Sequence, residues 1–230
     1  MDWTDITALH ELGVVQGGTV QGGEVSHNLL TIGSDFFGEQ LHEGLGKHQQ
    51  VSLSSDGSVV AIASKFKGNV GQVRIYKNVG GIWTQVGSDI NGEAAEDLSG
   101  YSVSLSFDGS VVAIGAPNND GNGNNAGHVR IYQNVEGNWT QIGSDIDGEA
   151  AGDLSGASVS LSSDGSVVAI GAPNNSYNNG HARVYKNVGG SWTQVGPDID
   201  GEKYHLTRQY FSKGGYPQTE IIGSLGHSGQ

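Results

Sequence analysis

Apolar and polar positions alternate most clearly over residues 99–148, which read SGYSVSLSFDGSVVAIGAPNNDGNGNNAGHVRIYQNVEGNWTQIGSDIDG. Val103 and Leu105 alternate with Ser102, Ser104 and Ser106, the period-2 pattern of a strand with one apolar face. Phe107-Asp108-Gly109-Ser110 reads as a tight turn, with Asp-Gly supplying the positive-φ residues of a two-residue hairpin. Residues 111–116 are continuously apolar, as in a strand buried on both faces. Pro117 ends that run because it cannot donate to a ladder. An Asn/Gly loop over 118–127 leads to a third strand over 128–133, and a fourth is expected over 139–146. No stretch sustains a helical period.

The same pattern occurs three times. VSLSSDGSVVAIAS starts at Val51 and GQVRIYKNVGGIW ends at Trp83; GASVSLSSDGSVVAIGAPNN starts at Gly156 and HARVYKNVGGSW ends at Trp192. The Asp-Gly landmark stands at Asp56, Asp108 and Asp164, spacings of 52 and 56, and the Trp landmark at Trp83, Trp139 and Trp192, spacings of 56 and 53. Four short antiparallel strands repeated at this period predict an all-β chain folded as a β-propeller, each repeat one blade. A linear β-stack or solenoid is the alternative. Three tandem blades are expected over 50–202, flanked by divergent segments at 1–49 and 203–230.

The first divergent segment carries a partial blade, since LLTIGSDFFGE from Leu29 lies over WTQIGSDIDGE. The last contains strand-like runs over 204–211 and 219–225. Pairing of 29–36 with those runs would make a fourth, composite blade and remove exposed sheet edges. The rival expectation is an incomplete array that needs a second chain or residues absent from this sequence.

Composition narrows the partners. A formal net charge of −13, from 24 acidic and 11 basic residues, argues against nucleic acid, which needs clustered Lys and Arg. With no cysteine, neither disulfides nor thiolate metal sites are available. No run is long and apolar enough to insert in a membrane, and MDWTDITALHELGVV lacks the pattern of a secretory leader.

Ser99-Gly100-Tyr101-Ser102-Val103 followed by Val112-Ala113-Ile114-Gly115-Ala116-Pro117 resembles the FG-GAP repeat of integrin-α-type propellers. The pair recurs at 155–159 with 168–173, and unit one keeps Val60-Ala61-Ile62-Ala63. The resemblance implies a propeller that binds protein or carbohydrate, an adhesive role, and an extracellular or cell-surface setting. Family propellers usually have about seven blades, whereas three are clear here. In the family the loop between the two landmarks often cages calcium with several Asp residues. Here that loop is Ser-Asp-Gly-Ser, too few oxygens for a calcium ion.

Alternating strand direction places the long loops on one face and the Asp-Gly turns on the other. Binding residues sit more often on long loops held by a rigid scaffold. Asn118, Asn119, Asp120, Asn122, Asn174 and Asn175 are therefore the expected binding-face residues. On the same face, Asp145-Ile146-Asp147-Gly148-Glu149 with Asp153 partly resembles a calcium loop. Asp89, Asn91, Glu93 and Asp97 repeat it; these eight residues are the candidate metal ligands, the ordinary alternative being solvated turn residues. No other cofactor is expected.

The repeated Trp83, Trp139 and Trp192 are expected to pack between blades rather than stack on sugars. Arg74, Arg130 and Arg183, each two residues before a Tyr, are expected to bond across blades. His128 and His181 precede the third strand and face the Asn/Gly loops, His42 and His48 lack an HxxxH or matching carboxylate pattern, and Ser shows no nucleophile elbow. The expected function is therefore a non-enzymatic binding or structural module engaging protein or carbohydrate through its acidic loop face. Its alternatives are a structural subunit that completes its array in a larger assembly, and a calcium-dependent, lectin-like adhesin.

Overall fold

The computed structural model of the protein describes Leu45, residues 50–175 and 179–202, and the strand backbones of 205–211 and 217–224. The expected strand over 29–36 lies outside the described residues. Each repeat folds into one antiparallel sheet. The first comprises β1 (Val51–Leu53), β2 (Val59–Ser64), β3 (Gln72–Val79), β4 (Ile82–Gln85) and β5 (Ile90–Asn91). The second comprises β6 (Ser102–Leu105), β7 (Val111–Ala116), β8 (His128–Val135), β9 (Asn138–Gln141) and β10 (Ile146–Asp147). The third comprises β11 (Ser158–Leu161), β12 (Val167–Ala172), β13 (His181–Val188), β14 (Ser191–Gln194) and β15 (Ile199–Asp200). β16 (His205–Phe211) and β17 (Pro217–Ser224) pair only with one another among the described strands.

The outer strand of each blade differs from the single run expected over 139–146. It is broken in two, and both pieces pair with the same neighbour: β9 along Tyr132–Val135, β10 along His128 and Val129. The Gly143-Ser144-Asp145 kink between them is held by Gln141, whose Nε2 donates to Asp145 Oδ1 at 2.6 Å. Gly143, at φ 74°, takes a backbone conformation that residues with a Cβ avoid.

The turn after β6 also differs from a two-residue hairpin. The Ser106 amide donates to Val111 O at 2.9 Å, so four residues form the loop, with Gly109 at positive φ and Asp108 not. The Asp108 carboxylate organises it, accepting from Ser106 Oγ, the Ser110 amide and Ser110 Oγ at 2.7–3.0 Å. The Ser110 amide, then the two hydroxyls, hold the Asp108 carboxyl below the usual carboxylate range. Asp56, bonded to the Ser58 amide and the Ser54 hydroxyl, falls to about 2, as does Asp164, bonded to the Ser162 hydroxyl and the Ser166 amide.

These folded-state values lie below the ordinary 3.8. Their stabilisation is therefore full above about pH 4 and lost as pH falls through about 2. Thermal melts across pH 4 to 2 should show that decline, and combined D56N, D108N and D164N substitutions should flatten it. An unchanged slope would refute the assignment.

Apolar burial lies between blades. Val59, Ala61, Val73, Ile75 and Ile90 of the first blade meet Val103, Leu105, Val112 and Ile114 of the second. The next junction repeats this, with Val111, Ala113, Val129, Ile131 and Ile146 against Val168 and Ile170. The serines of the period-2 strands close the same junctions. Ser52 Oγ accepts from the Leu105 amide at 2.9 Å, and Ser104 Oγ from the Leu161 amide at 3.0 Å.

The last blade stands apart. Ile199 is 62% exposed, whereas its counterparts Ile90 and Ile146 are 6% and 5% exposed. Val167, Ala169, Ala182 and Val184 are only half-buried, although their counterparts in the earlier blades are buried. A cleft of about 850 Å³ lies along this side, lined by Ser158, Gly171, His181, Ala182 and Ile199 among others.

Candidate functional site

The long loops do gather. Gly127 bridges to Ser155, the Gly152 amide donates to Asn124 O at 2.9 Å, and Asn122 Nδ2 donates to Gly148 O at 2.8 Å. Most of the expected binding residues nevertheless hold the scaffold. Asn119 is buried, its Nδ2 donating to Asp97 Oδ2 at 2.9 Å and its Oδ1 accepting from the Gly121 amide. Asn175 Nδ2 donates to Asp153 Oδ2 at 3.1 Å, while the Asn118 and Asn174 amides donate to the carbonyls of Asp97 and Asp153. Asp120 closes its own loop by accepting from the Asn125 amide at 2.7 Å. Of the six residues, Asp120, Asn122 and Asn174 remain exposed.

The eight expected calcium ligands do not form two contiguous loops. Asp97 and Asp153 are both 4% exposed and anchor the following blade through Asn119 and Asn175. Asp153 Oδ2 also accepts from the Ala150 amide. Asn91 and Asp147 each turn a backbone carbonyl toward the next blade, accepting from Arg130 at 2.9 Å and Arg183 at 2.8 Å. Asp89 accepts from Gln85 Nε2 at 2.6 Å and from Gln72 Nε2 at 2.8 Å. Anchoring the following blade thus takes up the carboxylates of Asp97 and Asp153 and the main-chain carbonyls of Asn91 and Asp147, while glutamines of its own blade hold Asp89.

The remaining acids meet histidines, and across repeats. The break in the outer strand sets Asp145 beside His128, the first residue of β8, with Nδ1 3.4 Å from Asp145 Oδ2. Glu93, from the connection after the first blade, completes a cluster whose donor atoms lie within 4.8 Å of one another. The next junction assembles Glu149, His181 and Asp198 in the same way. Burial is the main influence on His128 and pushes its imidazole below its usual range, against the opposing pull of Asp145. Both Glu residues also face arginine, at 3.4 Å for Arg130–Glu93 and 3.5 Å for Arg183–Glu149. Arg130 and Arg183 thus bond across blades as expected, and their guanidinium groups lie 5.8 and 5.5 Å from the Tyr132 and Tyr185 ring centroids.

His128 and His181 are the residues that the sequence reading left out of its candidate ligands. They face acids rather than the Asn/Gly loops alone, and their partners stand 17 residues downstream and, in the preceding repeat, 35 and 32 upstream. A signal was present: aligned repeats carry Gln72, His128 and His181 at one position and Asp89, Asp145 and Asp198 at another.

No family model matches the chain, and no curated protein does. Solved structures do resemble it. A candidate 6-phosphogluconolactonase from Bacteroides fragilis aligns with a TM-score of 0.52 at 15% identity, covering 72% of this chain and 42% of its own. A second protein so named, from Bacteroides uniformis, gives 0.47 at 15% identity over 74% of this chain and 46% of its own. A candidate TolB from Agrobacterium tumefaciens gives 0.41 at 14% identity over 75% and 64%.

The fold is a β-propeller. The chain spans less than half the length of both Bacteroides proteins, and at these identities the likeness extends to the fold alone. It nevertheless corrects the expectation that the chain is not an enzyme. The Bacteroides fragilis protein shares the fold and is named for an enzymatic activity, so a repeat without hydrolase motifs does not exclude catalysis. Among the described residues, no helix is long and apolar enough to cross a membrane.

Proposed function

We propose that the chain is an assembly module whose third blade docks a further blade of the same repeat. The observation that carries this is the uncovered side of β12, β13 and β15. At the preceding junction the Asp153-Leu154-Ser155-Gly156 linker fills the matching cleft, and Gly156 O accepts from Ser102 Oγ at 2.8 Å. After Glu202 the sequence reads Lys-Tyr-His-Leu, with no Asp-Leu-Ser-Gly, and Ile199 is left 62% exposed.

The docking blade comes from a second copy. Val51 and Leu53 of the first blade are 51% and 56% exposed, whereas their counterparts Val103 and Leu105, packed against a preceding blade, are 7% and 8% exposed. Two complementary apolar faces on one chain make a head-to-tail contact, which closes or propagates according to its rotation. Sedimentation velocity over a concentration series should show association, abolished by I199D. A chain that stays monomeric throughout the series would refute the reading.

A second reading is favoured by the convergence of the acidic loops. Exposed Glu93, Asp120, Asp147 and Glu149 share one face, which suits a protein or carbohydrate partner, and the FG-GAP resemblance supports such an adhesive role.

A further inference from the structure

We propose that each of the two junctions between the three described blades binds one divalent ion of the zinc class through an imidazole and two carboxylates. The ligands are Glu93, His128 and Asp145 at the first junction and Glu149, His181 and Asp198 at the second.

The second junction carries the argument furthest. The His181 side chain is 1% exposed, and neither ring nitrogen has a hydrogen-bond partner. A buried polar group left unpaired calls for a missing partner such as an ion. His181 Nδ1 lies 3.6 Å from Asp198 Oδ2 and 3.8 Å from Glu149 Oε2. The other oxygen of each carboxylate is already engaged: Gln194 Nε2 donates to Asp198 Oδ1 at 2.6 Å, and Arg183 lies 3.5 Å from Glu149 Oε1. The oxygens left over are those that face the imidazole.

The first junction has the same division. Gln141 holds Asp145 Oδ1 at 2.6 Å and Arg130 lies 3.4 Å from Glu93 Oε1, leaving Asp145 Oδ2 toward His128. Outer partners that fix ligand orientation in this way are a regular feature of metal sites. Two carboxylates against one guanidinium leave each site with surplus negative charge.

Donor chemistry selects the ion. Imidazole with carboxylate suits zinc and neighbouring first-row divalent ions, whereas calcium prefers six to eight oxygens. The glutamates, 48% and 44% exposed, leave the site open to solvent, so water can complete the coordination. The first blade supplies an internal control. There Gln72 replaces histidine, and its amide donates to Asp89 Oδ2 at 2.8 Å and Asn91 Oδ1 at 3.0 Å, supplying by hydrogen bonding what the ion supplies elsewhere. Because the Glu comes from the connection after one blade and the His and Asp from the next, each ion ties two blades together.

The full chain, stripped with chelator, is titrated with Zn²⁺ by calorimetry and melted with and without it. Two ions should bind, and the melting temperature should rise with Zn²⁺ but not with equal Ca²⁺. H128Q and H181Q, each imitating Gln72, should bind one ion fewer, and the double variant should bind none at these sites while melting like the metal-free wild type. Co²⁺ added to the wild type tests the sites without substitution, and two equivalents should give visible bands from imidazole–carboxylate coordination. Zinc binding no greater in the wild type than in the double variant would overturn the proposal, as would an equal calcium effect or the absence of cobalt bands.

Discussion

Replacing Gly148 with Ala is expected to destabilise the protein by about 3 kcal/mol or more, the upper range for overpacking a tight contact. A Cβ at this position would overlap the carbonyl oxygen of Ala126. The approach is fixed from both sides, because the Gly148 amide donates to Gly127 O at 2.7 Å and Ala126 is fully buried. Neither partner is a flexible side chain that could swing away.

The matched glycines behave alike: Gly92 would meet the Val70 carbonyl and Gly201 the Asn179 carbonyl. By contrast, Ala at Gly137 would find nothing within 4 Å. It would bear only the backbone cost of its φ of 87°, about 1–2 kcal/mol. Urea unfolding of G148A beside G137A checks this ordering. Equal losses would show that the close approach does not set the cost. Gly148 also positions Glu149, so G148A should disturb the second histidine cluster as well as the fold.

Much of the fold was legible because each blade repeats a local code. Serine–apolar alternation, an Asp-Gly turn and a Trp-led outer strand recur with enough correlation to mark the strands of each repeat. The break in the outer strand was not legible, since the Gln141–Asp145 bond that kinks it looks like ordinary polar sequence. The candidate site was legible only in part. Asp145 and Glu149 stood out as acids, yet each was assigned to a loop with its sequence neighbours. The structure instead pairs Asp145 with Glu93, and Glu149 with Asp198, across the blade junction. A sequence pattern shows which residues repeat. It does not show that a residue's partner belongs to the previous repeat, because that depends on how blades stack. The serines illustrate the same limit: Ser52 and Ser104 read as the solvent-facing half of a strand, but they accept amide bonds from the next blade.

Replacing Trp139 with Ala is expected to cost about 3 kcal/mol, the low end of the range for deleting a core aromatic because the indole is only half-buried. Its ring packs against the apolar cluster joining the first two blades, and Nε1 donates to Val86 O at 2.8 Å. Trp192 repeats the arrangement one junction on, donating to Ile142 O at 2.8 Å. W139F keeps most of the apolar contact and loses the hydrogen bond, so it should cost about 1 kcal/mol.

The two variants separate inter-blade packing from a role in stacking on sugar rings. A tryptophan kept for an external ligand would lose affinity on substitution with little change in stability. In repeat architectures stability is carried by each unit and its nearest-neighbour interfaces, so the loss should also be local. Hydrogen exchange should show deprotection concentrated in β1–β4 and β6–β9, with β11–β14 changed least. A uniform loss across the three blades would mean that the junctions are not separable units. A cost below about 1 kcal/mol for W139A, well under the range for a packed aromatic, would mean that the indole does not hold the blades together.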